Sequence, residues 1–597
     1  MSARYVIGID LGTTNSVLAF AELGAEVPLV ELLPIPQLVA PGVIESRTSL
    51  PSFLYLATEH EAQSGAFDLP WRKGNQIAVG EIARRQSAEN PQRTVVGAKS
   101  WLCHSKVDRH QPILPWGAPA EVPKVSPVTA SRRYLEHLVA AWEHSHPDAP
   151  IAEQIVVLTV PASFDAAARE LTHEAALAAG LPAKLILLEE PQAAVYAWLT
   201  SMGDRWRKTL KVGETLLVCD VGGGTTDLTL VGVAEEGGEL MLRRIAVGDH
   251  LLVGGDNMDL ALAHFVAGKF GERGIKLDPW QSVSLWHQCR AAKETLLTAG
   301  GPKKHPLSLL GRGSKLIGGT VTVDIEREPA AELLLQGFFP PCQVSDRPAR
   351  RRASGFQEIG LPFESDTAVT RHLAAFLKAN GDDSGQPLRP SHVLFNGGVF
   401  KAEAFRSRLM EVLGSWAGDQ PPQILIGEHD LDHAVARGAA YYGWAKQHGG
   451  VRIRGGTARS YYVGIETAGL AIPGAPRPLR ALCVVPFGME EGTSVDVPSG
   501  EIGLVIGEPA TFRFFSSAVR KHDVPGELLS GWSDDELAET DSLEALLPKD
   551  EALDDDFVPV RFQSQLTELG IFELWCASTK SAHRWKLEFS VREDAEG

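Results

Sequence analysis

The chain has 597 residues, 44% of them hydrophobic and 22% charged, with a net charge of -18. That is enough for about three or four domain-sized units of an ordinary soluble protein, and the negative balance argues against general nucleic-acid binding, which needs a positive surface. No apolar run approaches membrane-spanning length, Met1-Ser2-Ala3-Arg4 leads into a strand rather than a leader, and the six cysteines are scattered with no Cys-x-x-Cys pair, which argues against a zinc site or a disulfide framework and for a reducing cytoplasm.

Tyr5 to Ile9 reads as a strand that delivers Asp10 to a turn of Gly12, Thr13, Thr14, Asn15 and Ser16, and an apolar strand resumes at Val17. Backbone N–H groups bared by glycine and flanked by hydroxyls make a ready anion site. Asp10 would repel a bare phosphate, so a cation has to lie between them. Mg²⁺ fits, because it keeps its waters and binds through one or two carboxylates plus substrate phosphates. An ordinary hairpin turn would use the same residue types.

Residues 26 to 80 read as strands broken by Pro34, Pro36, Pro41 and Pro51. A short helix begins at Gly80 and stops near Asn90-Pro91, and residues 104 to 124 read as loop. Tyr134, Leu135, Leu138, Val139 and Trp142 recur at helical spacing within Thr129 to His144. Ile155 to Val160 is a continuous apolar run, the pattern of a strand buried on both faces. Asp165 is placed to cap a helix from Ala166 to Ala179 and Gly180 to end it. Leu185 to Leu188 is another strand, handing Glu189-Glu190-Pro191 to a helix through Trp198. Such alternation indicates an α/β domain.

Thr215 to Leu230 then repeats the first design: an apolar strand, Asp220, the glycines Gly222, Gly223 and Gly224, the pair Thr225-Thr226, Asp227 and a returning strand. Two such copies point to an internal duplication that offers two phosphate-gripping hairpins. Neither is a strand–loop–helix P-loop, since no Gly-Lys-Ser/Thr follows. Cys219 reads as a small core residue. Gly248 to Asp259 reads as a loop carrying Gly254-Gly255, followed by helices from Leu260 to Phe270 and from Trp280 to Leu297. Residues 300 to 360 are poorly periodic, and the basic run from Arg347 to Arg352 reads as a solvated loop. Thr367 to Ala379 is helical, a strand at 392–396 runs into Gly397-Gly398, and an Ala-rich helix spans Asp430 to Ala445. Beyond Gly449-Gly450 short alternating runs take over, as in Phe572, Leu574 and Cys576 and in Trp585, Leu587, Phe589 and Val591. They predict a β-sandwich-like domain, with the acidic segment 534–556 as a solvated or loosely helical insertion.

These stretches resemble the 70-kDa heat-shock chaperones of DnaK type, whose ATPase domain belongs to the actin and sugar-kinase superfamily. The matching motifs fall in order: IGIDLGTTNSVLAF at 7–20, NPQRTVVGAK at 90–99, VVLTVPASFDAAARELTHEAALAAGL at 156–181, EEPQAAVYAWL at 189–199, LLVCDVGGGTTDLTL at 216–230, GGDNMDLALAHF at 254–265, NGGVF at 396–400 and DHAVARGAA at 432–440. A weaker match follows at 462–469 and 558–577.

The resemblance implies an α/β, two-lobed, actin-like ATPase domain of duplicated ribonuclease-H-like units over 1–447, a linker at 448–457, and a β-rich, substrate-binding-like domain over 458–597. It implies ATP or ADP as ligand with Mg²⁺, and K⁺ often nearby. Asp10 and Asp220 would hold the hydrated Mg²⁺. Gly12, Thr13, Thr14 and Asn15 would grip phosphate from one lobe, and Gly222, Gly223, Gly224 and Thr225 from the other. Gly254, Gly255, Lys293, Gly397, Gly398 and Asp432 would complete the nucleotide site. Lys99 and Glu190 would orient the attacking water, with Asp227 near the ions; phosphoryl transfer needs mainly positioning and charge neutralisation. Pro161 and Arg169 match the family's relay between domains.

The departures are Arg290 and Leu297 where the family carries a glutamate and a serine for adenosine, Val451 to Gly456 in place of an acidic, leucine-rich linker, and no helical lid after Val591. The expectation is an atypical member that hydrolyses ATP slowly and controls a protein client by nucleotide state, with a J-domain co-chaperone and an exchange factor as partners. A nucleotide-gated module holding one dedicated partner is the alternative, and a small-molecule kinase ranks below both.

Overall fold

The computed structural model describes residues 3–587 except 105, 237–238, 311–319, 350–360, 362, 383, 428–429, 450–452, 455, 458, 467–478, 491, 501, 506–508, 534–535, 541–542, 547–556 and 568–571. It is a mixed α/β structure whose N-terminal region is built on a pair of sheets of six strands each. The first holds β1 (Tyr5–Leu11), β2 (Asn15–Glu22), β3 (Glu31–Leu32), β4 (Ile155–Val160) and β5 (Ile186–Glu189), in the order β5-β4-β1-β2-β3, with Leu50–Pro51 also paired to β2. The second holds β6 (Thr215–Val221), β7 (Thr226–Glu236), β8 (Glu239–Val247), β9 (His392–Asn396), β10 (Gln423–Ile424) and β11 (Ile453–Arg454), in the order β10-β9-β6-β7-β8-β11. The first five strands of each sheet share one order. They also share directions: β1 is parallel to β4 and antiparallel to β2, as β6 is parallel to β9 and antiparallel to β7. The duplication read from two short motifs therefore extends to the whole sheet pattern.

The central strands are buried on both faces, as the unbroken apolar runs predict; Val6, Ile7 and Ile9 of β1 and Leu216, Leu217 and Val218 of β6 have no accessible surface. Between the sheets lie α3 (Glu190–Met202) and α6 (Ala434–His448), which pack on each other, with α6 also against β1. Small residues set this approach. A Cβ on Gly438 would lie 1.8 Å from the Ala193 carbonyl oxygen, and one on Gly8 would lie 2.3 Å from the Ala436 oxygen. Both obstacles are backbone and cannot swing away. Gly438→Ala is expected to destabilise by about 3 kcal/mol or more, at or beyond the upper end for overpacking. The check is the urea midpoint at constant m, and an unchanged midpoint would contradict it.

Several sequence boundaries move. The helix placed at Leu260 starts at Gly255 (α4, Gly255–Glu272), because the Asn257 side-chain oxygen accepts from the Gly254 N–H at 2.9 Å and closes its first turn. The aperiodic 300–360 stretch contains a hairpin, Lys304–Leu310 with Thr320–Glu326, and a helix, Arg327–Phe338. Its inward residues Leu307, Leu309, Val323 and Ile325 do alternate, but over runs too short to stand out. The helix expected from Asp430 starts at Ala434, since Asp430 is spent on a turn, accepting from Asp432 N–H at 2.9 Å. The acidic insertion, where described, is strand rather than helix, at Ala538–Glu539 and Leu543–Leu546. A portion of it, and the Arg350 to Arg352 end of the basic run, lie outside the described residues.

In the C-terminal region a pair of five-stranded antiparallel sheets shares one apolar core, with Val463, Leu482 and Val484 from one and Val560, Phe562 and Leu574 from the other. This region touches the N-terminal one. β11 adds to β8 in parallel, and the Ile453 N–H donates to the Tyr196 hydroxyl at 2.8 Å. Arg459 reaches Asp249 at 3.2 Å, and the Lys521 ammonium donates to the side chain of Asn380.

Three histidines, His137 buried and His250 and His287 partly so, tie stability to acid. Burial drives His137, whose Nε2 meets the Pro36 carbonyl at 2.9 Å, from 6.5 to about 4. Burial also takes His250 to about 4, and burial with the Arg290 charge takes His287 to about 3. The unfolded chain accepts protons near 6.5 that the folded chain refuses, so the stability these groups contribute is full above that value and is lost as the pH falls toward 4. Each group costs about 1.4 kcal/mol one pH unit below its unfolded value. The urea midpoint is expected to fall between about pH 6.5 and 5, with a shallower slope in His137→Gln. An equal slope in that variant would clear His137 of the effect.

Candidate functional site

The carboxyl ends of β1 and β6 meet across a cavity of about 580 Å³, within the range of ligand pockets. Asp10 and Asp220 both line it, together with Lys99, Glu190, Gly12, Thr13, Thr14, Asn15, Gly222, Gly223 and Thr225. Each aspartate is set by strand register. Asp10 lies opposite Thr159 of β4, whose hydroxyl donates to it at 3.3 Å. Asp220 lies opposite Asn396 of β9, whose amide nitrogen donates to it at 2.7 Å.

The two glycine-threonine turns touch. A Cβ on Gly223 would sit 2.0 Å from Thr14 Oγ1, and one on Gly224 would sit 2.5 Å from Ser100 Oγ. Glycine is thus required for the approach of one half to the other. The second turn is closed by Gly222 N–H to Thr225 O at 2.9 Å. It is braced by α4, since the N–H groups of Gly255 and Asp256 donate to the Gly222 and Gly223 carbonyls at 3.0 and 2.7 Å. Gly254 donates to Asn257 instead, so Gly254 and Gly255 hold the turn in place with amides that are already engaged.

Lys99, at the start of α1 (Ala98–Trp101), is only 8% exposed and ion-paired to Glu190, the first residue of α3. Burial works against its charge, but Glu190 and then Asp10 outweigh it and raise its pKa. The carboxylates are raised as well, but for them the shift disfavours the charged form. Burial, then the Glu190 charge, raises Asp10 to about 7 and Asp220 to about 8. Acids packed so closely call for a cation, and two carboxylates beside phosphate-type turns suit a hydrated Mg²⁺ held partly by a polyphosphate. Among the described residues no cluster of three or more His, Cys, Asp or Glu is suited to hold a metal by itself.

Asp227 and Gly224 do not reach the cavity wall. Asp227 is buried behind it and accepts from Ser163 Oγ, which in turn meets His250 Nδ1 at 2.7 Å. At the far end Lys293, Arg290, Leu297, Gly397, Gly398 and Asp432 all line the cavity. Lys293 pairs with Asp259 at 2.7 Å, while Arg290 pairs with Asp256 and, at 3.1 Å, with Asp259. Gly397 has φ +87° and no room for a side chain, with Val221 O 2.3 Å from a would-be Cβ. Asp432 is ion-paired to Lys401 at 2.5 Å. Sequence reasoning missed Thr159, Asn396, Ser163 and Lys401. Thr159 and Asn396 lie inside recognised motifs, but only strand register sets them beside the aspartates.

Away from the cavity, Glu189 is clamped by Arg244 and, at 3.0 Å, by Arg169, the arginine of the expected relay. Burial opposes its charge, yet Arg244 and Arg169 hold the carboxyl below its ordinary value. No helix among the described residues is long and apolar enough to cross a membrane.

The family model "Hsp70 protein" matches residues 71–302. Chaperone protein DnaK of Burkholderia cenocepacia strain HI2424 is 23% identical over 428 residues, covering 68% of this chain and 60% of that protein. Chaperone protein DnaK of Stenotrophomonas maltophilia strain R551-3 is 25% identical over 430 residues, covering 68% and 61%. The chain therefore spans about 60% of the length of the curated relatives it matches.

Proposed function

Because the chain is an atypical member of the Hsp70 family, we propose that it binds and slowly hydrolyses ATP and uses nucleotide state to control how its C-terminal β domain holds a protein segment. The observation that carries this reading is the shared cavity. Asp10 and Asp220, from equivalent positions in two matching sheets, open on it together with the Lys99–Glu190 pair. In this reading residues 1–447 form two actin-like lobes around the nucleotide, 448–457 link them to the β domain, and 458–597 form a sandwich for the client.

Thr13, Thr14 and Asn15 hold the phosphates from one side, and Gly222, Gly223 and Thr225 from the other. When bound, Mg²⁺ supplies charge neutralisation to the polyphosphate, and Asp10 and Asp220 hold it through water. Glu190 accepts a hydrogen bond from the attacking water, and Lys99 keeps its proton and sets a positive charge beside the terminal phosphate. Asp227, anchored by Ser163, stands behind them as a fixed negative charge near the ions. Lys293, Gly397, Gly398 and Asp432 border the nucleoside end. Arg290, spent on Asp256 and Asp259, braces that wall.

Calorimetry of the whole chain with ADP and ATP, with and without Mg²⁺, tests the reading alongside phosphate release. Mg²⁺-dependent uptake with slow release is expected; no heat from either nucleotide would end it. The ties of β11, Arg459 and Lys521 between the N- and C-terminal regions suit a nucleotide-gated holder of one dedicated partner as well as a chaperone. A peptide array separates these. Broad affinity for extended apolar segments favours the chaperone, served by a J-domain co-chaperone and an exchange factor in the cytoplasm.

A further inference from the structure

The repetition of the two sheets extends to the donor beside each key aspartate, and there the halves differ chemically. Beside Asp10 stands Thr159, whose hydroxyl donates to the carboxylate. Beside Asp220 stands Asn396, which donates from Nδ2 at 2.7 Å. An asparagine amide also carries a carbonyl oxygen that can accept two hydrogen bonds. Once ionised, as it must be to hold a cation, Asp220 fixes which way the amide faces, because the reverse orientation would set two acceptor oxygens against each other. Oδ1 is then left buried and without a hydrogen-bond partner, on a side chain that is 3% exposed and lines the cavity. Leaving such an acceptor unmet is costly, and orphaned buried oxygens call for a donor that arrives from outside the chain.

The reading of the cavity as an Mg²⁺-nucleotide site, on which this inference rests, brings such donors in. We propose that Asn396 is a positioning residue of the cation site, orienting Asp220 through Nδ2 and offering Oδ1 to a water held by the cation between Asp10 and Asp220. Outer partners of this kind fix the carboxylate and its water in one geometry, and losing one commonly weakens metal affinity by about 10- to 100-fold. Thr159 has the simpler role in the first sheet, orienting Asp10 alone.

The test uses the full chain and compares ADP affinity by calorimetry in excess Mg²⁺ and in EDTA. Asn396→Leu is expected to cut the Mg²⁺-dependent gain in affinity by about 10-fold while leaving the EDTA affinity unchanged. Asn396→Thr, which copies the arrangement at Thr159 and so keeps a donor to Asp220 without the Oδ1 acceptor, is expected to recover only part of the gain, and recovery of all of it would overturn the role given to Oδ1. An undiminished gain in Asn396→Leu overturns the proposal, and so does an equal loss in EDTA, which would make the residue merely structural. Should the leucine variant fail to fold, a crystal structure of the wild-type protein with ADP and Mg²⁺ decides. Oδ1 within about 3 Å of a metal-bound water supports the proposal, and Oδ1 bonded elsewhere overturns it. Absence of ADP uptake by the wild type would take down both readings, whereas Mg²⁺-dependent uptake indifferent to Asn396 would remove this one alone.

Discussion

Lys99→Ala is expected to lower the rate of phosphate release by about 100-fold or more while leaving ADP and ATP affinity within about threefold. The sequence offers no reason to single out this lysine apart from its motif, since most lysines are solvated. The fold places it otherwise. It is buried, ion-paired to Glu190 and held charged by Glu190 and Asp10. A buried cation aimed at a polyphosphate acts where charge shifts during transfer, so its removal falls on turnover. In the proposed function, binding would draw on the two turns and the far wall, which do not depend on Lys99. Arginine is a poor replacement, because a planar guanidinium does not fill the place of a compact ammonium in a packed pair. Single-turnover measurement of phosphate release, with affinity measured on the same samples, separates the two effects. Unchanged turnover would remove Lys99 from the mechanism.

What could be read in the chain was whatever is local. Asp10 and Asp220 were legible because a strand, an acid and a glycine-threonine turn are consecutive, and because the pattern occurs twice. Gly254 and Gly255 were legible as special positions but not in role. Their amides are bonded to the neighbouring turn and to Asn257, a pairing between segments about thirty residues apart. Asn396, Ser163 and Thr159 were illegible as site residues, because each acts through register or packing against a distant strand. The hairpin at 304–326 escaped notice for another reason: its alternation is carried by a few residues beside His305-Pro306, where turn chemistry blurs the period. Side chains that answer one another across the sheets are a property of the fold, and the sequence order hides them.

In Mg²⁺-free buffer the protein is expected to lose stability as the pH rises from about 6 to 8, and the stabilisation by Mg²⁺ and ADP to grow over the same range. The cause is burial, then the Glu190 charge, which together lift Asp10 from 3.8 to about 7 and Asp220 from 3.8 to about 8. The unfolded chain gives up these protons near 3.8, but the folded chain keeps them until about 7 or 8. The folded state thus binds more protons in between, and its stability declines as the pH climbs to those values and levels off beyond them. Each group costs stability at the alkaline end, by about 1.4 kcal/mol for every pH unit between its unfolded and folded values. A cation between the carboxylates removes that cost, so it binds better as the protons leave. Asp220→Asn has no charge to bury; it is expected to be more stable than the wild type at about pH 8 without Mg²⁺ and to gain little from adding it. With the histidines acting on the acid side, the ligand-free protein should be most stable near pH 6, about midway between the two losses. Thermal melts from about pH 5 to 9, with and without Mg²⁺ and ADP, measure all of this. A Mg²⁺ effect that stays constant across the series, or an Asp220→Asn protein that melts earlier than the wild type at the alkaline end, would show that burial and the Glu190 charge do not hold protons on the two aspartates in this way.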